Sequence, residues 1–455
     1  MKRSVTILGA GLVGSVLAVL LRKKGYEVTI YERRPDMRKE TISAGRSINL
    51  AMSNRGWKAL DYAGLREDIE SIAIPMPGRF LHQEDGSSAF QPYGKNGEAI
   101  YSVSRGELNK KLMDLADQNG ATIHFNQRCT KVDVSANVIH LQDEQGTTQS
   151  IKCDLLFGAD GAFSALRTSM GFQDRTNFSQ HYIEHGYKEL NIPAGPNGTW
   201  LIEKHALHIW PRHNYMMIAL PNVDGSFTCT LFFPFEGNPS FASLKTEAEV
   251  RAFFEAQFPD AIPLMPTLIE DYMNNPVSSL ITTRIFPWRF EDKSCLIGDA
   301  AHAIVPFYGQ GMNAGFEDCS VLYELMEQYD QDWATILKEF EAARKPNGDA
   351  VGTLALNNFV EMRDKVADPK FLERKKIEKE LGRIFSGRFN SVYEMVSFSH
   401  TPYNYALNCS NAQDVLLQKI MEQGDFFENI QSDVFKAQLD KWMEAYESAI
   451  AQVKQ

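Results

Sequence analysis

The chain has 455 residues, 44% of them hydrophobic, enough for two or three domains with substantial cores. Its formal net charge of −11, with no long basic block, argues against nucleic acid or an anionic membrane surface as the main partner. The six cysteines (Cys129, Cys153, Cys229, Cys295, Cys319 and Cys409) include no C-x-x-C pair, so they read as reduced thiols of a cytoplasmic protein and not as a disulfide framework.

The first predicted element is a strand over Val5 to Leu8, a short β-branched run suited to a buried parallel sheet. Gly9, Gly11 and Gly14 follow at dinucleotide-fingerprint spacing. They allow a tight turn, close backbone approach to a pyrophosphate, and packing of helix on strand. A helix opening at Gly11 aims its free N–H groups and positive dipole end at that phosphate. Val28 to Tyr31 reads as the next strand, and Glu32 at its end is placed to accept from ribose hydroxyls. A carboxylate there disfavours a 2′-phosphate, so this site is expected to hold FAD or NAD. Lys2 and Arg3 ahead of an uncharged run up to Leu21 also resemble a signal peptide or anchor. Three glycines at fingerprint spacing, and Arg22, Lys23 and Lys24 leading straight into a strand, rule against that. Nothing else approaches the roughly 18 apolar residues of a membrane span.

Residues 101–180 return to the same unit, with a helix over 105–119, a strand over 121–125, and a second motif, CDLLFGADGAFSALR, from Cys153 to Arg167. Lys152 to Phe157 is predicted as one strand delivering Asp160 and Gly161 to a loop, with Ser164 and Arg167 one turn apart on a short helix. From 181 to 285 the texture becomes aromatic and β-branched, as in ALHIWP, YMMIALP and SFTCTLFFP, which predicts a mainly antiparallel sheet. His181 and His185 have no third ligand nearby, so no metal is expected. A third motif, CLIGDAAHAIVPFYGQGMNAGFED, runs from Cys295 to Asp318. Asp299 can accept from flavin ribityl hydroxyls, and the helix near Gly311 can point N–H groups at the flavin ring. Beyond Asp318 the pattern is helical. Any one motif alone also fits a plain α/β turn; three in this order outweigh that reading.

These motifs, in this order over about the first 320 residues, resemble the single-component FAD-dependent aromatic hydroxylases. The intervening segments GRSINLAMSNRG, PGRFLH, QPYG, SVSRGELN, HGYKEL, NNFVEM and SFSHTPYNYA resemble the kynurenine 3-monooxygenase branch over nearly the whole chain. The fold implied is α/β: a Rossmann-type FAD-binding domain (1–65, 101–180, 286–325) interleaved with an antiparallel-sheet substrate domain (66–100, 181–285, 326–370), plus a C-terminal helical region (371–455). The resemblance implies bound FAD, NADPH as co-substrate, O2, and L-kynurenine hydroxylated to 3-hydroxykynurenine through a flavin C4a-hydroperoxide. It implies no acid or base from the protein.

By the same resemblance, Arg79, Tyr93, Asn358 and Tyr403 clamp the substrate's amino-acid end, and Leu207, Met216, Ile218, Phe232, Pro306 and Phe307 wall its ring. Gly9, Gly11, Gly14, Glu32, Arg105, Asp160, Asp299, Gly311, Met312 and Asn313 hold the cofactor. Tyr308 stands where bacterial relatives carry histidine, which implies altered tuning of the substrate pocket beside the flavin. The C-terminal helix is amphipathic and lacks the apolar anchor of eukaryotic relatives, so no membrane partner is expected. Two other readings share these motifs: a hydroxylase of another aromatic acid, and a non-catalytic flavin-binding interaction protein.

Overall fold

The computed structural model describes residues 3–39, 48–94, 97–364 and 369–453; the first three residues of GRSINLAMSNRG lie outside them. Strand Val5–Leu8 is buried at all four positions, so it sits inside a sheet and not at its edge. It pairs in parallel with Val28–Tyr31 on one side and Leu155–Gly158 on the other. Thr122–His124 and Ser294–Leu296 extend the sheet in parallel, and Arg289–Phe290 adds an antiparallel edge. Sheet order therefore places strands from residues 294, 155 and 5 side by side. Their C-terminal ends carry the three motif loops, which is why segments about 300 residues apart meet in one crevice.

The single strand expected over 152–157 is two. Thr148–Lys152 belongs to a separate three-stranded antiparallel sheet, and only Leu155–Gly158 joins the parallel one. Asn137 forces the break: its backbone C=O accepts from Cys153 N and its amide donates to Cys153 O, turning the chain between sheets.

The second large sheet has seven strands, in the order Ser278–Phe286, Asn177–Ile192, Phe227–Pro234, Tyr215–Pro221, Leu207–Arg212, Gly78–His82, Ser88–Pro92. Its pairing is antiparallel except where Leu207–Arg212 meets Gly78–His82. Period-2 alternation splits its faces. Trp210, Met217, Leu231 and Phe233 pack on helices Glu247–Gln257 and Leu268–Asn274, whereas Met216, Ile218 and Phe232 face the parallel-sheet side. Helices Gly311–Tyr329 and Trp333–Asp364 cover that side, and the C-terminal helices form their own small core around Leu381, Phe389, Leu417 and Met443. Among the described residues no helix is long and apolar enough to cross a membrane, and no group of three or more metal-ligating side chains assembles. All six cysteines are free thiols, five of them buried.

Candidate active site

Between the two sheets lies a cavity of about 860 Å³, within the usual range for a ligand pocket. At one end it is lined by the motif loops: Gly11, Leu12 and Val13 from the first, Ala159, Gly161 and Ala162 from the second, Asp299, Gly311 and Met312 from the third, with Arg105 opposite. The glycines differ in what they do. A Cβ on Gly14 would lie 2.1 Å from Gly9 O, and one on Gly9, at φ +97°, 2.6 Å from Ala159 O; both are packing positions. A Cβ on Gly11 would meet nothing within 4 Å. Its backbone faces the cavity, and helix Leu12–Lys23 starts there without a side-chain cap. Uncapped N–H groups lining the same cavity as Arg105 suit a pyrophosphate. The residues present thus fit FAD, Gly9 and Gly14 by closing the turn and Gly11 by facing the ligand.

Three cofactor candidates stand behind the cavity wall. Glu32 is buried, and its carboxylate accepts from Ala10 N at 2.9 Å and from Arg34 N and Nε at 2.9 Å each. Burial pushes its pKa up, but the Arg34 guanidinium and these amides outweigh it and hold it below the usual carboxylate range. Asp160 accepts from Ala165 N, the first residue of helix Ala165–Met170, at 2.7 Å; its other oxygen is buried without a partner, and burial raises its pKa. Asn313 is fully buried and does not line the cavity. It accepts from Ser53 N (2.9 Å) and donates to Ala51 O (2.8 Å) and Gly309 O (2.9 Å), so it fixes two loops that do. A buried ion network steadies the third motif: Asp318 accepts from Gly298 N at 2.9 Å, His302 Nε2 at 2.6 Å and Arg344 Nε at 2.6 Å. Those bonds hold Gly298 at φ +61°, the turn that presents Asp299.

The other end is apolar with a polar terminus. Met216 pairs directly with Phe232 across the sheet, and Ile218, Leu207, Pro306 and Phe307 complete the wall. Phe307 stacks on Phe359 (centroids 4.3 Å) and tilts against Phe232 (4.9 Å), which fixes its ring. At the terminus Arg79, half-buried, donates Nε to Gln91 Oε1 at 3.1 Å, its cross-strand neighbour. Asn358 donates to Phe307 O at 2.7 Å. The Tyr93 hydroxyl is buried, with the Tyr393 hydroxyl as its protein neighbour and Arg79 close enough to act on both. Burial and Tyr393 push its pKa well above 10, opposed by Arg79. Two buried phenol hydroxyls beside a guanidinium offer donors to a carboxylate placed between them.

Tyr403 is not in this constellation. It opens helix Tyr403–Met421, fully buried, with its hydroxyl donating to Gln310 Oε1 at 2.9 Å and Arg55 lying 4.0 Å from its ring centre. Tyr393 occupies the cavity instead, stacked between Tyr93 (5.4 Å) and Tyr308 (5.7 Å). Its sequence signal was readable: Ser391 and Glu394 form a reciprocal capping box, Glu394 N donating to Ser391 Oγ at 3.2 Å and Ser391 N to Glu394 Oε2 at 2.8 Å. That box starts helix Val392–Ser397 and sets where Tyr393 points. Sequence reasoning also missed Lys375, which joins Glu361 and Glu378 at 3.1 Å each where the cavity extends between the C-terminal helices. Only the packing of helix Pro369–Ile384 against the rest reveals it.

Comparison with known proteins agrees with this geometry. An FAD binding domain family model matches residues 2–355. Kynurenine 3-monooxygenase of Flavobacterium psychrophilum is 49% identical, covering 95% of each chain. The enzyme of that name from Myxococcus xanthus is 48% identical over 92% of this chain and 91% of its own. That from Dictyostelium discoideum is 46% identical over 93% and 94%. Among solved structures, 2-methyl-3-hydroxypyridine-5-carboxylic acid oxygenase shares the fold at TM-score 0.65 and 22% identity, covering 82% of this chain and 95% of its own. With nearly half its residues identical to these relatives along almost its whole length, and the FAD-binding model spanning both sheets, the chain belongs to the kynurenine 3-monooxygenase family of FAD-binding monooxygenases.

Proposed function

We propose that this protein hydroxylates L-kynurenine, consuming NADPH, a proton and O2 and releasing 3-hydroxykynurenine, NADP+ and water. The observation that carries this reading is the Arg79 guanidinium beside the buried Tyr93 and Tyr393 hydroxyls, at the end of a slot otherwise walled by aromatic and aliphatic side chains. An α-carboxylate satisfies these groups at once, and an aminoaryl ring fills the wall. When bound, the flavin supplies the redox chemistry, taking hydride from NADPH and delivering one atom of O2.

Everything else falls to binding and orientation by this chain's residues. The Gly11–Val13 amides and Arg105 hold the pyrophosphate, and Asp299 receives the ribityl hydroxyls. Glu32 receives the ribose, keeping its bond from Ala10 N while it does so. Arg79, Tyr93, Tyr393 and Asn358 fix the amino-acid end, while Met216, Ile218, Phe232 and Phe307 set the ring's angle and keep water out. The ring's own amino group makes the adjacent carbon electron-rich, so no side chain need act as base. Steady-state NADPH oxidation with and without L-kynurenine, with product identified by mass, tests this. Stimulation with hydroxylated product supports it. Stimulation only by simple aromatic acids replaces the substrate, and no turnover leaves the flavin without a catalytic role.

A further inference from the structure

Behind the sheet, on the face away from the cavity, polar side chains form a chain that the reaction does not use. His82 Nδ1 lies 3.0 Å from Asp260 Oδ2, and His82 Nε2 lies 2.9 Å from His208 Nδ1. His208 Nε2 lies 2.8 Å from the Glu203 carbonyl, and Trp210 Nε1 donates to Asp260 Oδ2 at 2.8 Å. The His82 ring stacks on Trp210 with centroids 4.0 Å apart, and Arg212 Nη1 donates to the His82 carbonyl at 2.9 Å. The ends fix the direction of every bond. A carbonyl only accepts, so His208 donates through Nε2 and its Nδ1 accepts. Burial pushes the His208 pKa down to about 4, consistent with a neutral ring. His82 must then donate through Nε2, and its Nδ1 faces a carboxylate.

What this chain secures is the strand that carries Arg79. Gly78–His82 joins the sheet through three parallel pairs, Leu207↔Arg79, His208↔Phe80 and Ile209↔Leu81. Its hairpin partner Ser88–Pro92 is the sheet's outermost strand and largely exposed. An edge hairpin held by so short a ladder has weakly specified register, and a slip of one residue would turn Arg79 to the opposite face. Arg79 and Gln91 face the cavity, whereas Phe80 and His82 face the helical layer; Phe80 lies flat on His208 at 5.6 Å. Asp260 belongs to that layer, following helix Glu247–Gln257, so the bonds tie the edge strand to the element beneath it.

We propose that His82 is a positioning residue for substrate binding, pinning strand 78–82 in the register that aims Arg79 into the cavity. The pin rests on the reading of Arg79 as the group that binds the substrate's carboxylate. His82→Phe keeps the ring on Trp210 and deletes both hydrogen bonds. It is expected to raise KM for L-kynurenine roughly tenfold, since with both hydrogen bonds lost the strand spends most of its time out of the register that aims Arg79 inward, while kcat stays within about twofold. Amide hydrogen exchange in residues 78–92 should quicken, and FAD content should not change. Trp210→Phe, which loses one bond to Asp260 but leaves both His82 bonds, should lower Tm without moving KM. Because His82 acts through Arg79, adding His82→Phe to Arg79→Ala should raise KM no further. If His82→Phe does not fold, Asp260→Leu serves: it removes the partner of His82 Nδ1 without offering a new donor or acceptor, so exchange in 78–92 should rise and KM should increase by a smaller factor. Unchanged exchange, an unchanged KM, or a KM effect that persists beside Arg79→Ala overturns the proposal. Absence of wild-type turnover with L-kynurenine refutes the substrate reading, and hydrogen exchange then decides the register pin by itself.

Discussion

Arg79→Ala tests the site most directly. Arg79 sits at the polar end of the cavity, and its only side-chain bond among the described residues is the 3.1 Å contact from Nε to Gln91. The terminal nitrogens are thereby left to a ligand carboxylate in a forked arrangement. Truncating one member of a desolvated charge pair costs about 2–5 kcal/mol, and the half-exposed setting of Arg79 argues for the lower part, about 2–3. That is roughly thirty- to 150-fold in KM for L-kynurenine. Bound FAD and its visible spectrum should be unchanged, because Arg79 lies on the second sheet, away from the motif loops. Arg79→Lys should recover only part of the loss, since a point charge cannot reproduce the planar fork. The assay is substrate-stimulated NADPH oxidation across a kynurenine titration. A near-normal KM in the alanine variant would refute the assignment and shift the reading toward a hydroxylase of another aromatic compound.

Tyr393→Phe should raise KM several-fold, whereas Tyr403→Phe should leave KM alone and lower Tm, because its hydroxyl bonds only to Gln310 within the helical core; the reverse pattern would restore Tyr403 to the site. Glu32→Ala should lower FAD affinity about ten- to a hundredfold by loss of charge-assisted bonds. It should also lower Tm, since Ala10 N and Arg34 lose their acceptor; equal retention of FAD after dialysis would count against it. In Glu317 and Asp318 burial pushes the pKa up, but Arg344 with Arg55 and His302 with Arg344, respectively, prevail and hold both carboxyls below the usual range. Their contribution is therefore full above pH of about 4 and is lost as pH falls through the depressed values. Thermal melts should show an acid limb that is shallower in Asp318→Asn. That variant is itself expected to be less stable at pH 7 by about 3–5 kcal/mol, from a broken buried pair. Gly14→Ala should abolish folding of the FAD-binding unit, as its Cβ would lie 2.1 Å from Gly9 O; soluble, FAD-loaded protein would disprove the packing role.

The sequence by itself determined the local pieces. Glycine spacing, β-branched runs and the capping residues Ser104, Ser164 and Thr246 specify turns, strands and helix starts through contacts a few residues long. Period-2 alternation was enough to place Met216 and Ile218 on one face, because side-chain direction in a strand is fixed by parity. Tertiary structure decided which polar groups reach the ligand. Asn313 carries the right chemistry, yet its amide is engaged by the backbone of Ser53, Ala51 and Gly309, which only folding brings near. Tyr393 and Tyr403 are indistinguishable as residue types ten positions apart. One is turned into the cavity by a capping box, and the other is held in the core by Gln310 and Arg55. The same holds for the His82 chain, whose four side chains come from two strands and a loop up to 178 residues apart. Short-range patterns encode element type because its energetics are local; a side chain's partner depends on how whole elements pack, and no local pattern carries that.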